Sequence, residues 1–344
     1  MLKYTDILEV FITSAIVSFL ITPLIKIIAV KTGYLDHPQD NKRHSHPTPL
    51  LGGIAIFFAF LAGIMSQWDI IGLFRNNHLL AILSGASLLL IIGLIDDRIG
   101  MNPNTKLLGQ FLAAMILYKA GLRITFLGNY YLNLIVTYLW IIGMTNAFNL
   151  LDNMNGLSTG IAAIASFFFG IIAWMNGQGL VCITSFCLCG SCLGFLKHNF
   201  PVGKIFMGDA GSLVIGFILS AIAISGNWKS YGFFTSIAVP LMVLAYPIFD
   251  TTLVTVARIL EGRSIFQGGK DHSSHRLALL GLKSRNTVLI VYLICALLGI
   301  LALVVSKSSF KTGITIIIFV ITGLALLGVR LSLVKTGVSG RRKP

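Results

Sequence analysis

Runs of apolar residues alternate with short polar breaks along the whole chain. Most runs approach the roughly 20 residues that an α-helix needs to cross the hydrocarbon core of a bilayer. They fall at about 6–30, 50–67, 79–95, 106–121, 132–151, 157–175, 179–196, 211–226, 233–258, 286–306 and 312–331, and predict eleven transmembrane helices. Between Asp152 and Lys197 lie 44 consecutive residues without a charge, two crossings divided at Asn176-Gly177-Gln178-Gly179. The pattern predicts an all-α fold, a polytopic integral membrane helical bundle that takes up 1–344 as a single transmembrane domain. Loops are expected on its inner side at about 31–49, 96–105, 152–156, 197–210 and 259–285.

Composition strengthens this picture. Charged residues are 11% of the chain and hydrophobic residues 56%, against roughly 25% charged in a soluble globular protein. So few charges cannot cover a soluble surface of this size, which excludes soluble, disordered, fibrous and disulfide-scaffold classes. The net charge of +14 is read here as loop bias and not as nucleic-acid binding. With the N-terminus outside, 19 of the 26 Lys and Arg fall on the inner side, which fixes the orientation and puts the C-terminus in the cytoplasm. Trp68, Trp174 and Trp228 then fall near the outer interface, where indole is favoured. The apolar stretch from Ile7 to Val30 is too long for a signal-peptide core and is expected to remain as the first helix. Cys182, Cys187, Cys189 and Cys192 sit in an uncharged apolar run and read as small buried hydrophobes.

The acids carry the candidate chemistry. Nine of twelve fall on the inner side, and Asp152, Asp209 and Asp250 lie inside or at the edge of apolar segments. An ionisable residue there is costly and marks function by default. The adjacent pair Asp96-Asp97 closes the third segment, and two like charges side by side call for a cation. In Thr145–Gly160, Asn146, Asn149 and Asn153 fall at helical spacing with Asp152 beside them. Such oxygen donors suit Mg²⁺. Asp209 stands between Gly208 and Gly211 at a helix start, where an Asp is also an ordinary cap and where phosphate is favoured. Lys106 opens the fourth segment near the acidic pair. His272, His275 and Arg276 form a basic loop with Lys270, Asp250 has Arg258 two turns on as a candidate partner, and Lys42 and His44 lie in the first inner loop. Oxygen ligands, basic groups and a membrane fold on one face suit phosphoryl transfer between a soluble anionic donor and a lipid acceptor. A lipid or ion transporter is the rival from another class, and it predicts polar residues near the midplane.

These motifs, in this order from about Asp36 to Leu277, resemble the polyprenyl-phosphate N-acetylhexosamine-1-phosphate transferases, glycosyltransferase family 4. The resemblance is closest to the undecaprenyl-phosphate N-acetylglucosamine-1-phosphate transferases of teichoic acid, O-antigen and related wall polymers. It is weaker to the phospho-MurNAc-pentapeptide translocases, which carry three consecutive His where this chain has His272-Ser273-Ser274-His275. The family implies a bacterial inner-membrane enzyme with a cytoplasmic active site. It would move sugar-1-phosphate from a UDP-N-acetylhexosamine to undecaprenyl phosphate and release UMP, with Mg²⁺ or Mn²⁺ as cofactor. A homodimer is a further expectation. By the same resemblance Asp209 and Asn149 hold the metal, and Asp96, Asp97 and Asp152 act in catalysis. Lys42, His44, Lys106, Asn146, Asn155, His272, His275 and Arg276 contact substrate. One departure concerns Asn155, which stands near the uracil site where bacterial members usually carry a second Asp.

Overall fold

The structure is a computed structural model that describes residues 3–36, 47–67, 72, 75–228, 233–264 and 269–334. All eleven apolar segments are helical. In chain order the helices are α1 (Tyr4–Thr32), α2 (Gly52–Met65), α3 (Asn77–Ile99), α4 (Pro103–Lys119), α5 (Tyr130–Leu151), α6 (Leu157–Met175), α7 (Gly179–Asn199), α8 (Gly208–Ser225), α9 (Phe233–Val243), α10 (Ala245–Leu260), α11 (Ser273–Leu279), α12 (Ser284–Lys307) and α13 (Phe310–Ser332). Hydrocarbon offers the backbone no hydrogen-bond partners, so an apolar run satisfies its amides internally as a helix. The polar breaks supply the caps. Asn76 accepts from Leu79 N–H, Asn129 from Tyr131 and Leu132, and Asn102 from Asn104 with Pro103 at the first helical position.

Two sequence expectations change. Among the described residues eight helices are long and apolar enough to cross a bilayer, and a bent pair makes a ninth. The expected eleven crossings included 50–67 and 106–121, but α2 has only 14 residues and α4 only 17. The segment 233–258 is two helices meeting at a bend of 77°. Pro247 has no N–H to continue the ladder to the Val243 carbonyl, which accounts for a break at this point.

The chain divides into two compact units, Met1–Asn227 and Trp228–Pro344. In the first, α8 packs against α2, α3, α5 and α6, while α1 lies along α2 and α7. The α8 span is 83% buried and the α1 span 17%, so α8 is the core helix and α1 turns most of its apolar surface outward to lipid. A two-stranded antiparallel clasp, β1 (Leu35–Asp36) with β2 (Thr48–Pro49), joins α1 to α2. Beyond it Phe206 N–H donates to the Pro49 carbonyl, and Gly53 N–H donates to that of Met207. The chain entering α2 is thus fastened to the chain entering α8. In the second unit α9 packs on α12, and α13 contacts α9, α10, α11 and α12.

Candidate active site

The site forms where α3 ends and α8 begins. Gly93, in α3, comes so close to Ala210 and Asp209 that a Cβ there would collide with the α8 backbone. One turn later come the adjacent carboxylates. Asp96 and Asp97, expected to close α3, lie in its last turn, and the helix runs on to Ile99, past the loop start expected at 96. Their side chains take different partners. Asp97 Oδ1 accepts from Asp209 N–H (2.8 Å) and Oδ2 from Ala210 N–H (3.2 Å). Asp96 Oδ1 accepts from Met101 N–H (2.6 Å), and Oδ2 pairs with Lys106 Nζ (2.8 Å). Gly208 holds φ of +69°, and a Cβ on it would strike Asp97 Oδ2. Only glycine adopts this conformation at low cost.

Lys106 reaches the centre from the first turn of α4. Its ammonium pairs with Asp96 and Asp209 and donates to Asn149 Oδ1 (3.2 Å). Asn149, near the end of α5, donates through Nδ2 to Asp209 Oδ1 (2.7 Å) and Ser212 Oγ (2.9 Å). Oxygens from three helices, α3, α5 and α8, therefore converge on one positive point. Two carboxylates and an amide carbonyl are the hard oxygen donors that Mg²⁺ takes. The residues fit that ion, with Asp209 and Asn149 as the expected ligands and Asp96 beside them. Among the described residues no group of three or more His, Cys, Asp or Glu is arranged for a metal; here the amide of Asn149 contributes to the set.

Asp152 lies half-buried just past the end of α5. Burial, then the negative charges of Asp209 and Asp97, push its carboxyl up to about 8. Asn153, expected on one helical face with Asn146 and Asn149, falls outside the helix because α5 stops at Leu151. Its amide turns back to the Leu150 carbonyl (2.9 Å). Asn155 Nδ2 donates to the Pro201 carbonyl (3.5 Å). Asn146 forms a reciprocal amide pair with Gln110, at 3.2 and 2.6 Å. Sequence reasoning missed Gln110 and Ser212, although Gln110 follows Lys106 by one helical turn and Ser212 follows Asp209 by three residues.

In the second unit the expected pairing of Asp250 with Arg258 does not occur. Eight residues of helix separate the two by about 12 Å along the axis. Asp250 instead receives Ser273 N–H (2.7 Å), Ser273 Oγ–H (2.5 Å) and His272 Nδ1 (2.8 Å). Arg258 grips Asp271 with two bonds, Nε at 2.9 Å and Nη2 at 2.8 Å, and Arg263 adds a third at 2.9 Å. Burial opposes ionisation of Asp271, but the hydrogen bonds and charge of Arg258 outweigh it and hold the carboxyl at about 2. His272, His275 and Arg276 are buried, not spread over a solvated loop. Arg276 donates to the carbonyls of Asp271, Leu331, Ser332 and Val334. Lys42 and His44 lie outside the described residues.

Membrane helices whose ends gather carboxylates and amides round a cation define a class, the integral membrane proteins built to handle anionic groups at one end of a bundle. Known sequences narrow that class. Residues 79–227, which include every first-unit site residue just described, match the model of glycosyl transferase family 4. A probable undecaprenyl-phosphate N-acetylglucosaminyl 1-phosphate transferase of Bacillus subtilis (strain 168) is 34% identical over 330 residues, 93% of this chain and 91% of the relative. A decaprenyl-phosphate N-acetylglucosaminephosphotransferase of Mycolicibacterium smegmatis is 31% identical, over 97% of this chain and 90% of its own. An undecaprenyl-phosphate alpha-N-acetylglucosaminyl 1-phosphate transferase of Escherichia coli (strain K12) is 26% identical, over 94% and 89%. The chain belongs to glycosyltransferase family 4 and is a multi-pass membrane protein.

Proposed function

We propose that this protein transfers N-acetylglucosamine-1-phosphate from UDP-N-acetylglucosamine to undecaprenyl phosphate, releasing UMP. The observation that carries the reading is the convergence of Asp96, Asn149 and Asp209 on one cation position, in a family whose relatives are named for this transfer. An oxygen of the lipid phosphate attacks the sugar-bearing phosphorus. The bond from that phosphorus to the bridging oxygen breaks, and UMP leaves with the electron pair. Mg²⁺, held by Asp209 and Asn149, would neutralise diphosphate charge and act as a Lewis acid. Lys106, whose ammonium pairs with oxygens of Asp96, Asp209 and Asn149, would turn to phosphate oxygens and supply a further positive charge beside the metal. Attack is direct in this reading. Mg²⁺ near Asn149 and Asp209 would align donor and acceptor together, so the transfer needs no covalent intermediate on Asp152.

In this reading the active face is cytoplasmic, which the bias of basic residues supports, and the membrane is a bacterial inner membrane. The deciding experiment incubates purified protein in nanodiscs with undecaprenyl phosphate and a panel of UDP-sugars. UMP release is expected with UDP-N-acetylglucosamine, only in Mg²⁺ or Mn²⁺, and not in chelator. Turnover in chelator overturns the metal assignment. Equal turnover with other donors overturns the sugar assignment. A stoichiometric burst of UMP without lipid, with label left on the protein, overturns direct attack.

A further inference from the structure

We infer that Asp97 is a positioning residue that caps α8 and fixes where the Asp209 carboxylate stands, and that it does not exchange a proton with the acceptor phosphate. The inference deepens the transferase reading above and rests on it for its kinetic part.

Four observations carry it. First, α8 has no cap of its own. Met207 stands at the cap position, has helical dihedrals and makes no side-chain cap bond. The first-turn N–H groups of a helix lack intrahelical partners, and here both oxygens of Asp97, reaching over from α3, take two of them. Second, a carboxylate against a helix N-terminus is held by the helix dipole as well as by hydrogen bonds. Third, the approach is built into the backbones. A side chain on Gly93 would push Ala210 away, and one on Gly208 would occupy the place of Asp97 Oδ2. Fourth, the two adjacent acids divide the work. Successive helical residues point about 100° apart, so Asp96 faces Lys106 while Asp97 faces the α8 backbone. Asp209 is anchored at its own N–H by Asp97 and at its Oδ1 by Asn149. Loss of Asp97 therefore frees the turn that presents Asp209.

The experiment uses the full chain as Asp97→Asn and Asp97→Ala. Asn keeps one acceptor oxygen and loses the charge, whereas Ala keeps neither acceptor. Hydrogen exchange of the peptide covering 206–212 reads the cap without any catalysis. Exchange is expected to speed up about fivefold in the Ala variant, the factor that an ordinary lost helix cap implies, and less in the Asn variant. Mn²⁺ affinity, read by paramagnetic resonance, is expected to fall in the same order. So is kcat, by about 10- to 100-fold, the usual loss when an outer partner of a ligand is removed. The pH profile separates positioning from proton transfer. The acceptor is a phosphate monoester with a second pKa of about 6. A missing base would hurt most below pH 6 and little above it, whereas a displaced ligand hurts equally at every pH. Unchanged exchange in both variants overturns the inference, as does a deficit that vanishes above pH 7 with wild-type Mn²⁺ affinity. If the wild-type chain releases no UMP, the transferase reading fails while the exchange rates still decide the role of Asp97. If the Ala variant does not fold, the Asn variant carries the same comparison.

Discussion

In the first unit Asp96, Asp97, Asp152 and Asp209 share one neighbourhood whose ion pairs run to a single ammonium, that of Lys106. In the second unit Asp271 is held by two guanidiniums and Asp250 by His272 and Ser273. Among the described residues the first cluster gathers its carboxyl groups round one ammonium, and the second gives each acid its own donors. Carboxyl groups gathered among apolar helices are expensive, and such a cluster suits a bound cation. The difference separates acids that share one cation from acids that are each paired, although both groups are made of the same residue types.

The comparison breaks most sharply at Arg258. Its guanidinium is 2% exposed and Asp271 is fully buried, and removing one partner of a buried pair costs about 3–5 kcal/mol. Arg258→Met is therefore expected to unfold in detergent far below the wild-type temperature, and a wild-type melt would show that the network is ornamental to the fold. The pH dependence has a definite sign. Asp271 is held at about 2, below an ordinary value near 3.9. Its stabilisation is present above about pH 4 and is lost as pH falls through 2, so the wild type's margin over Asp271→Asn should narrow on acidification.

Asp209→Asn is the opposite case, since it removes charge from the cluster round Lys106. The protein should fold normally, by circular dichroism, while UMP release falls more than about a hundredfold, beyond what an outer partner of a metal ligand is worth. A folded variant with near-normal turnover would remove Asp209 from the metal site. Gly208→Ala tests the geometry instead of the charge. A left-handed residue with a Cβ costs about 1–2 kcal/mol, and this Cβ must also displace Asp97, so both melting temperature and turnover should drop. A purely pH-dependent effect is expected at Asp152, whose carboxyl is pushed up to about 8. In metal-free buffer the folded state resists its ionisation while the unfolded chain does not. The wild type therefore loses stability relative to Asp152→Asn as pH rises from about 4 to 8, and the variant's advantage should be nil at pH 4 and full above pH 8. A variant less stable than wild type at pH 8 would contradict the placement of Asp152 beside Asp209 and Asp97.

Much of this was legible from residue order. Helix α6 occupies the very span, 157–175, that the apolar pattern marks, and Asp209 beside its glycines announces the start of α8. Hydropathy sees length and burial, so it located helices well. It did not resolve the bend after Val243, because Pro240 sits inside a helix and Pro247 near the start of the next, and a proline alone does not say which it will do. Partner choice was less legible still. Asp96 and Asp97 look equivalent as adjacent letters, and only the approach of α8 gives them separate partners. Asp250 was matched with the cation nearest in sequence, whereas His272 and Ser273 reach it from beyond the end of its helix.

The clasp of β1 on β2 has a consequence for how sequence change bears on the site. Backbone pairing of Leu35 with Pro49 and Asp36 with Thr48 closes the segment 37–46 at its base, and the bonds from Pro49 and Gly53 to 206–207 hold that base beside the Asp209 turn. Closing a flexible loop costs entropy that grows only with the logarithm of its length, about 0.6 kcal/mol for each doubling. The number of residues between two paired strands therefore changes the cost of closing them only slowly, while the path into α2 stays fixed. A length series across 37–46 is expected to move the melting temperature least of all these changes. Such a clasp lets sequence change on its far side leave the approach to the Asp209 turn in place.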